Sequence, residues 1–269
     1  MNVDSKFLGL GYLDILSFQD TPVHRLDPRA KVLTTIVFIV AVVSFDKYQV
    51  SALLPFAIFP VIMIVRGNLP AAYLMGRLLF VLPFAFFVGM FNPLLDRDIL
   101  FRVGSAAVSG GWISFFSILL RFVLTVLAAL TLIATTGFIG VCTALEMLGL
   151  PRVFAVQLLF LYRYLFVLAA EGGRMARARS LRSFGDRGMG VKVFSSLVGH
   201  LLLRTIDRAQ RIYMAMLSRG FHGEFHFRRP FKMGFPEIAF IFGWSALFIL
   251  FRVYNLPRLL GGILTGVAP

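Results

Sequence analysis

Two stretches of this chain repeat one cationic pattern. Residues 174–185 read RMARARSLRSFG and residues 211–222 read RIYMAMLSRGFH, 37 positions further on. Laid over each other, Arg174, Ala178, Arg182 and Phe184 match Arg211, Ala215, Arg219 and Phe221. In a helix, positions i, i+4 and i+8 share a face, so each stretch predicts a row of arginine, alanine, arginine. The alanine lets another surface come close. The terminal arginine is followed by Ser183 or Gly220, residue types that suit a helix end. A guanidinium at such an end presents five donors to a carboxylate, and Phe184 or Phe221 stands beside it as an apolar anchor. This is chemistry of recognition: a helix tip seated in an acidic groove of a soluble partner. Binding to anionic headgroups would account for a generic basic segment, but it does not call for the same small residue and the same phenylalanine at matched offsets.

The remaining polar residues carry less. Glu171 with Arg174 (i, i+3) and Asp207 with Arg211 (i, i+4) have the spacing of structural ion pairs. His222 and His226 are four apart, but Gly220 and Gly223 interrupt a helix there and no third ligand adjoins, so no metal site is expected. His24 and His200 are isolated. Asp27 and Arg29 in LDPRAK read as a helix start, with Pro28 in the first turn. Arg77 lies near the beginning of an apolar run and can snorkel, Arg121 lies inside one, and Arg163 is expected to pair with a carboxylate at the membrane face. No nucleophile–base set appears. No phosphate loop of the form G-x4-G-K-[ST] appears either, so any nucleotide chemistry belongs to another chain.

These residues must be held by membrane helices. The 269-residue chain is 58% hydrophobic, with 30 phenylalanines, well above the roughly 45–50% apolar content of soluble domains. The expected fold is an all-α integral membrane protein with about five transmembrane helices and a cytoplasmic helical coupling module. The spans read as 32–45, 48–65, 73–91, 112–137 and 238–251, the second bent by Pro55 and Pro60, with 154–170 as a possible further pass. Within them no Asp or Glu occurs outside the Asp46 break, which disfavours a stand-alone secondary transporter with its intramembrane carboxylates or matched broken helices. Gly149-Leu150-Pro151 marks a helix stop and restart. From Val191 to Phe221 apolar residues keep near-helical spacing, with Arg204, Asp207, Arg208 and Arg211 on the polar side.

The net charge of +14 is concentrated. Between Phe138 and Phe235 there are 15 Arg or Lys against 5 Asp or Glu, and short basic loops stay cytoplasmic. This divides the chain into an interfacial N-terminal segment (1–30), four spans (31–137), cytoplasmic coupling helices with both arginine motifs (138–232), and a last span with its tail (233–269). The N-terminus is expected inside, and no removable signal peptide is expected. Nucleic-acid binding is excluded as a reading of the basic block because the apolar runs fix the chain in a bilayer. A lone Cys142 excludes an intrachain disulfide.

The motifs SRGF (218–221), LRSF (181–184) and HRLDPRAK (24–31) resemble the transmembrane T component of energy-coupling-factor (ECF) transporters. TPVHRLDPRAKVL and the stretch from Leu161 to Gly185 are similar to its cobalt-type branch, CbiQ, a likeness running from about residue 12 to 250. The resemblance implies that Leu181-Arg182-Ser183 and Ser218-Arg219-Gly220 end two coupling helices, each arginine docking into one subunit of an ATPase pair. The first departs from the usual Ala-Arg-Gly form. It also implies a separate small substrate-binding membrane subunit (S), sometimes with a further small membrane subunit. ATP and Mg would sit on the partner ATPase, and this chain would hold no cofactor. The cargo would be cobalt, although nickel- and biotin-type relatives share the motifs. The setting implied is a bacterial or archaeal inner membrane.

Overall fold

Asp27 opens the first long helix. Its carboxylate accepts the Arg29 N–H at 2.8 Å, and Pro28 occupies the first helical position, as the sequence predicts. In this computed structural model, which describes residues 12–95, 99–103, 106–182, 190–221 and 233–254, helix α1 runs from Pro28 to Val43. Its sixteen residues reach about 24 Å at ~1.5 Å each, short of a ~30 Å hydrocarbon core. Helix α2 spans Val50–Arg66. It is not simply bent: it tightens into a 3-10 segment at Leu54–Ala57 and resumes at Ile58. Pro55 and Pro60 donate no N–H to the ladder; Pro55 sits in the tighter turn and Pro60 in the first turn of the segment that resumes after it.

Helix α3 is Ala71–Met90. The connection after it, expected to be a loop, carries an antiparallel hairpin of β1, Ile99–Val103, and β2, Ala106–Ser109. Helix α4, Gly110–Met147, continues ten residues past its expected end but is broken at Gly137, where φ is 70° and ψ 158°. Its C-terminus is closed by Gly149 at φ 111°. There the Leu150 N–H reaches Leu145 O at 3.0 Å and the Gly149 N–H reaches Glu146 O at 3.1 Å, a glycine-terminated stop. Pro151 precedes helix α5, Arg152–Arg182. Helices α6, Val191–Leu217, and α7, Phe235–Val253, complete the described helices used below.

The protein is an all-α multi-pass membrane protein. Among the described residues, α3, α4, α5 and α7 are long and apolar enough to cross a bilayer, and α2 is shorter. Thus α5 qualifies by length and composition, where the sequence reading favoured two short early spans. The chain forms two compact units, one of Ile15–Gly137 with Phe231–Pro269, the other of Met1–Asp14 with Phe138–Pro230.

In the first unit α1 and α7 pack through aromatic rings. Phe38 lies 4.8 Å from Phe59 and meets Phe248 edge-on at 5.3 Å; Phe56 stacks on Phe248 at 5.9 Å. All four are fully buried. Between helices in lipid the hydrophobic driving force is absent, so close fit of such surfaces holds the spans together. Two cations finish α1. Arg252 donates to Ser44 O at 2.9 Å with its guanidinium 4.3 Å from the Phe45 ring centroid, and Arg121 donates to Asp46 O at 2.5 Å. Carbonyls at a helix C-terminus favour such positive charge. Arg77 donates to the Tyr73 hydroxyl at 2.9 Å, one turn nearer its helix start. Truncating Phe56 to alanine removes a ring at the centre of this cluster and should destabilise the protein by roughly 3 kcal/mol, read as a lowered thermal midpoint in detergent.

Candidate coupling site

The second unit holds both arginine rows. Arg174, Ala178 and Arg182 lie on α5 and are exposed; Arg211 and Ala215 lie on α6, with Arg219 just past its end, and are exposed too. The rows are matched in sequence but not in their contacts. Arg174 is ion-paired with Glu171, as the i, i+3 spacing predicts. Among the described residues no ion pair joins Asp207 to Arg211. On a hydrated face such a pair gains little, and i, i+4 spacing alone does not hold it closed.

Glu171 has a second partner that local spacing could not reveal. Its Oε1 accepts from Arg204 Nη1 at 2.7 Å, across from α5 to α6. One half-buried carboxylate therefore takes an arginine from each helix. Beside it, a methyl group at Gly172 would meet the Leu201 side chain at 3.7 Å, so the two helices pass closely at this level. The pin sits eleven residues before Arg182 and, on α6, fifteen before Arg219.

The second motif is built on a helix stop. Gly220 has φ +75°. The Phe221 N–H reaches back to Met216 O and the Gly220 N–H to Leu217 O, both at 3.0 Å. This double closure satisfies the last carbonyls of α6, and the Ser218 hydroxyl donates to Met214 O at 2.8 Å. Arg219 is held between these bonds at the very end of the helix. Phe221, expected as an anchor for a partner, turns instead toward Met216. Both line a groove of about 640 Å³ between α5 and α6, with Val156, Phe160, Tyr164 and Ile212 among its walls. Arg208, assigned to the polar side from spacing, also lines it. Among the described residues none of α6 is fully buried, and its apolar stripe is half-covered by α5. At the first motif, Leu181 and Arg182 close α5 and are exposed; Ser183 and Phe184 lie outside the described residues, as do His222 and His226.

Elsewhere, Arg163 lies over the ring of Tyr164 at 6.0 Å, a ring face where a carboxylate was expected. Ahead of α1, the Arg25 guanidinium grips Asp20 at 2.7 and 2.8 Å and holds that carboxyl below its usual range. Burial, and then the charge of Lys31, keep the His24 ring below its ordinary value; its Nδ1 is 2.7 Å from the Thr21 hydroxyl. Among the described residues no group of three His, Cys, Asp or Glu is arranged to hold a metal.

The cobalt transport protein family, CbiQ, matches residues 19–229. The chain belongs to this family. It is similar to the energy-coupling factor transporter transmembrane protein EcfT of Heliobacterium modesticaldum, 29% identical over 88% of this chain and 94% of the relative. It is also similar to EcfT of Thermotoga maritima, 29% identical over 81% and 82%, and of Bacillus subtilis, 28% identical over 75% and 81%. The chain is a T component of the ECF type.

Two outcomes follow from the site. Replacing Gly220 with alanine forces a side chain into left-handed backbone, costing about 1 kcal/mol; a nitroxide at position 219 should become more mobile while one at Leu203 does not. Replacing Glu171 with glutamine removes the charge that both arginines share, and the distance distribution between spin labels at positions 175 and 202 should broaden. An unchanged distribution would mean that packing at Gly172 alone holds the helices.

Proposed function

We propose that this chain couples ATP hydrolysis to import, passing motion from a pair of ATPase subunits to a separate substrate-binding membrane subunit. Arg182 and Arg219 are the docking residues, one for each ATPase. Ala178 and Ala215 permit close approach, and Ser218 and Gly220 shape the helix end that carries Arg219. The chain is non-catalytic, and ATP and Mg reside on the partners. The observation that carries this reading is the pair of exposed arginine rows running to the ends of two helices that are joined further back by one carboxylate, Glu171. Rigid helices pinned at Glu171 turn a displacement of their tips into a displacement of the segments beyond the pin. The groove between α5 and α6, lined mostly by apolar side chains among the described residues, would offer a surface to a membrane subunit. Both termini of the coupling module and the N-terminus face the cytoplasm in this reading, where the positive charge is concentrated. Cobalt is the proposed cargo, supported by the family's description.

Truncating Arg182 or Arg219 to alanine should release the ATPase pair. Each loses roughly 2–5 kcal/mol where its partner carboxylate is left buried and unpaired. The measurement is ATPase co-purification together with uptake of labelled cobalt into cells expressing the full complex. Normal co-purification and uptake in the double variant would refute the docking role. Uptake of nickel or of a vitamin in place of cobalt would keep the coupling role and change the cargo.

A further inference from the structure

The groove between α5 and α6 has apolar walls and one charged side chain in its lining. Val156, Phe160 and Leu168 face Ile212 and Met216 across it, and Arg208 lines it with them. Among the described residues no hydrogen bond or ion pair occupies the Arg208 guanidinium. Asp207, its neighbour in sequence, is not part of the lining. A guanidinium beside apolar walls suits a ligand that is anionic at one end and apolar along its length. The dimensions narrow the choice. The lining runs from Val153 to Leu168 on α5 and from Thr205 to Phe221 on α6, about 22 Å at ~1.5 Å per residue. Spread over that length, 640 Å³ gives a furrow roughly 6 Å across, against ~10–12 Å for a helix with its side chains. A helix of a membrane subunit would lie on such a furrow and not in it, whereas one extended hydrocarbon chain fits inside. Phospholipid chains reach about 15 Å, half of a ~30 Å hydrocarbon core, which leaves the rest of the groove for glycerol and phosphate. The charge is polarised to match. Arg208 stands three residues from Thr205, at the end of the groove near Leu168. One turn beyond Leu168, the single carboxylate of Glu171 is shared by Arg174 and Arg204, so this end is net positive. At the other end Val153, Met216 and Phe221 are apolar and Gln157 is uncharged.

We propose that this groove binds one anionic phospholipid, with its phosphate on Arg208 and an acyl chain laid between α5 and α6 toward Met216. Basic pockets between helices on the cytoplasmic side of membrane proteins take anionic headgroups in this way. The chain fills the space that opens between the two helices one turn beyond their close passage at Gly172. The site stands on the groove and on Arg208, and does not rest on the coupling reading above.

The test uses the full chain in detergent and a phosphatidylglycerol carrying a photoreactive diazirine in one acyl chain, with adducts located by peptide mass spectrometry. Adducts should concentrate on residues 153–168 and 205–221. Arg208→Gln should cut that labelling about fivefold, the size of one arginine's attraction for an anionic headgroup. A phosphatidylcholine of the same chains should label about fivefold less than the phosphatidylglycerol. Arg179→Gln, at an exposed arginine outside the groove, should change nothing. Ala209→Trp, which narrows the furrow and keeps the charge, should also cut the labelling. Equal labelling by the two lipids, or an equal loss in Arg179→Gln, would reduce the effect to the general charge of the basic block and overturn the proposal. So would displacement of the lipid by glycerol phosphate alone, which assigns Arg208 to a soluble anion, or adducts no denser in the groove than on the exposed surface of α3. In the full complex the labelling should persist; its loss on adding the membrane subunit would give the groove to that subunit and overturn the proposal. If Arg208→Gln fails to insert, Ala209→Trp and the paired lipids decide. A chain that labels as expected but retains no ATPase would end the coupling reading and leave the lipid site standing.

Discussion

A peptide group inside a bilayer has no water to fall back on. Every place where a helix of this chain ends, tightens or breaks at membrane depth must therefore be closed by the protein's own groups. That constraint explains otherwise unrelated details. Outside the bilayer the same closure recurs as ordinary helix capping, with Gly149 and Gly220 folding the chain back onto the last carbonyls of α4 and α6. Arg121 and Arg252 donate to carbonyls just beyond α1. Pro55 in α2 is accommodated by a tighter 3-10 turn.

The same constraint sorts the cations. Lys31, Arg77, Arg121 and Arg252 have found oxygen partners within the chain. Arg174 and Arg204 share a carboxylate. Arg182 and Arg219 are exposed at helix ends, and the closure at Arg219 is made by backbone groups, its own N–H reaching Met216 O at 3.0 Å. A high positive charge is thus divided between residues that finish the fold and residues whose donors face outward.

Local patterns were legible in the sequence, and long-range pairings were not. The start at Asp27-Pro28, the stop at Gly149-Leu-Pro151, the amphipathic run to Phe221 and the repeated arginine rows each follow from residues within a turn or two of one another. Arg204 stands 33 residues from Glu171, and Lys31 stands 104 from Thr135; no periodicity links them, because tertiary packing decides which donor reaches which acceptor. Gly137 was readable as a boundary in hydropathy, but not as a break inside a continuing helix. The spacing that suggested Asp207 with Arg211 was sound and still formed no pair, since a hydrated surface gives two long side chains little reason to meet. Phe221 was read as an outward anchor because the closure at Gly220, which turns it back toward Met216, depends on backbone conformation that residue type only permits.

The pin at Glu171 divides the two helices unequally. Measured along a helix at ~1.5 Å per residue, the arm to Arg182 is about 16 Å and the arm to Arg219 about 22 Å. A common rotation would sweep the longer tip through a wider arc. Equal displacements applied at Arg182 and at Arg219 would therefore turn the two helices about the pin by unequal angles, the shorter arm by more.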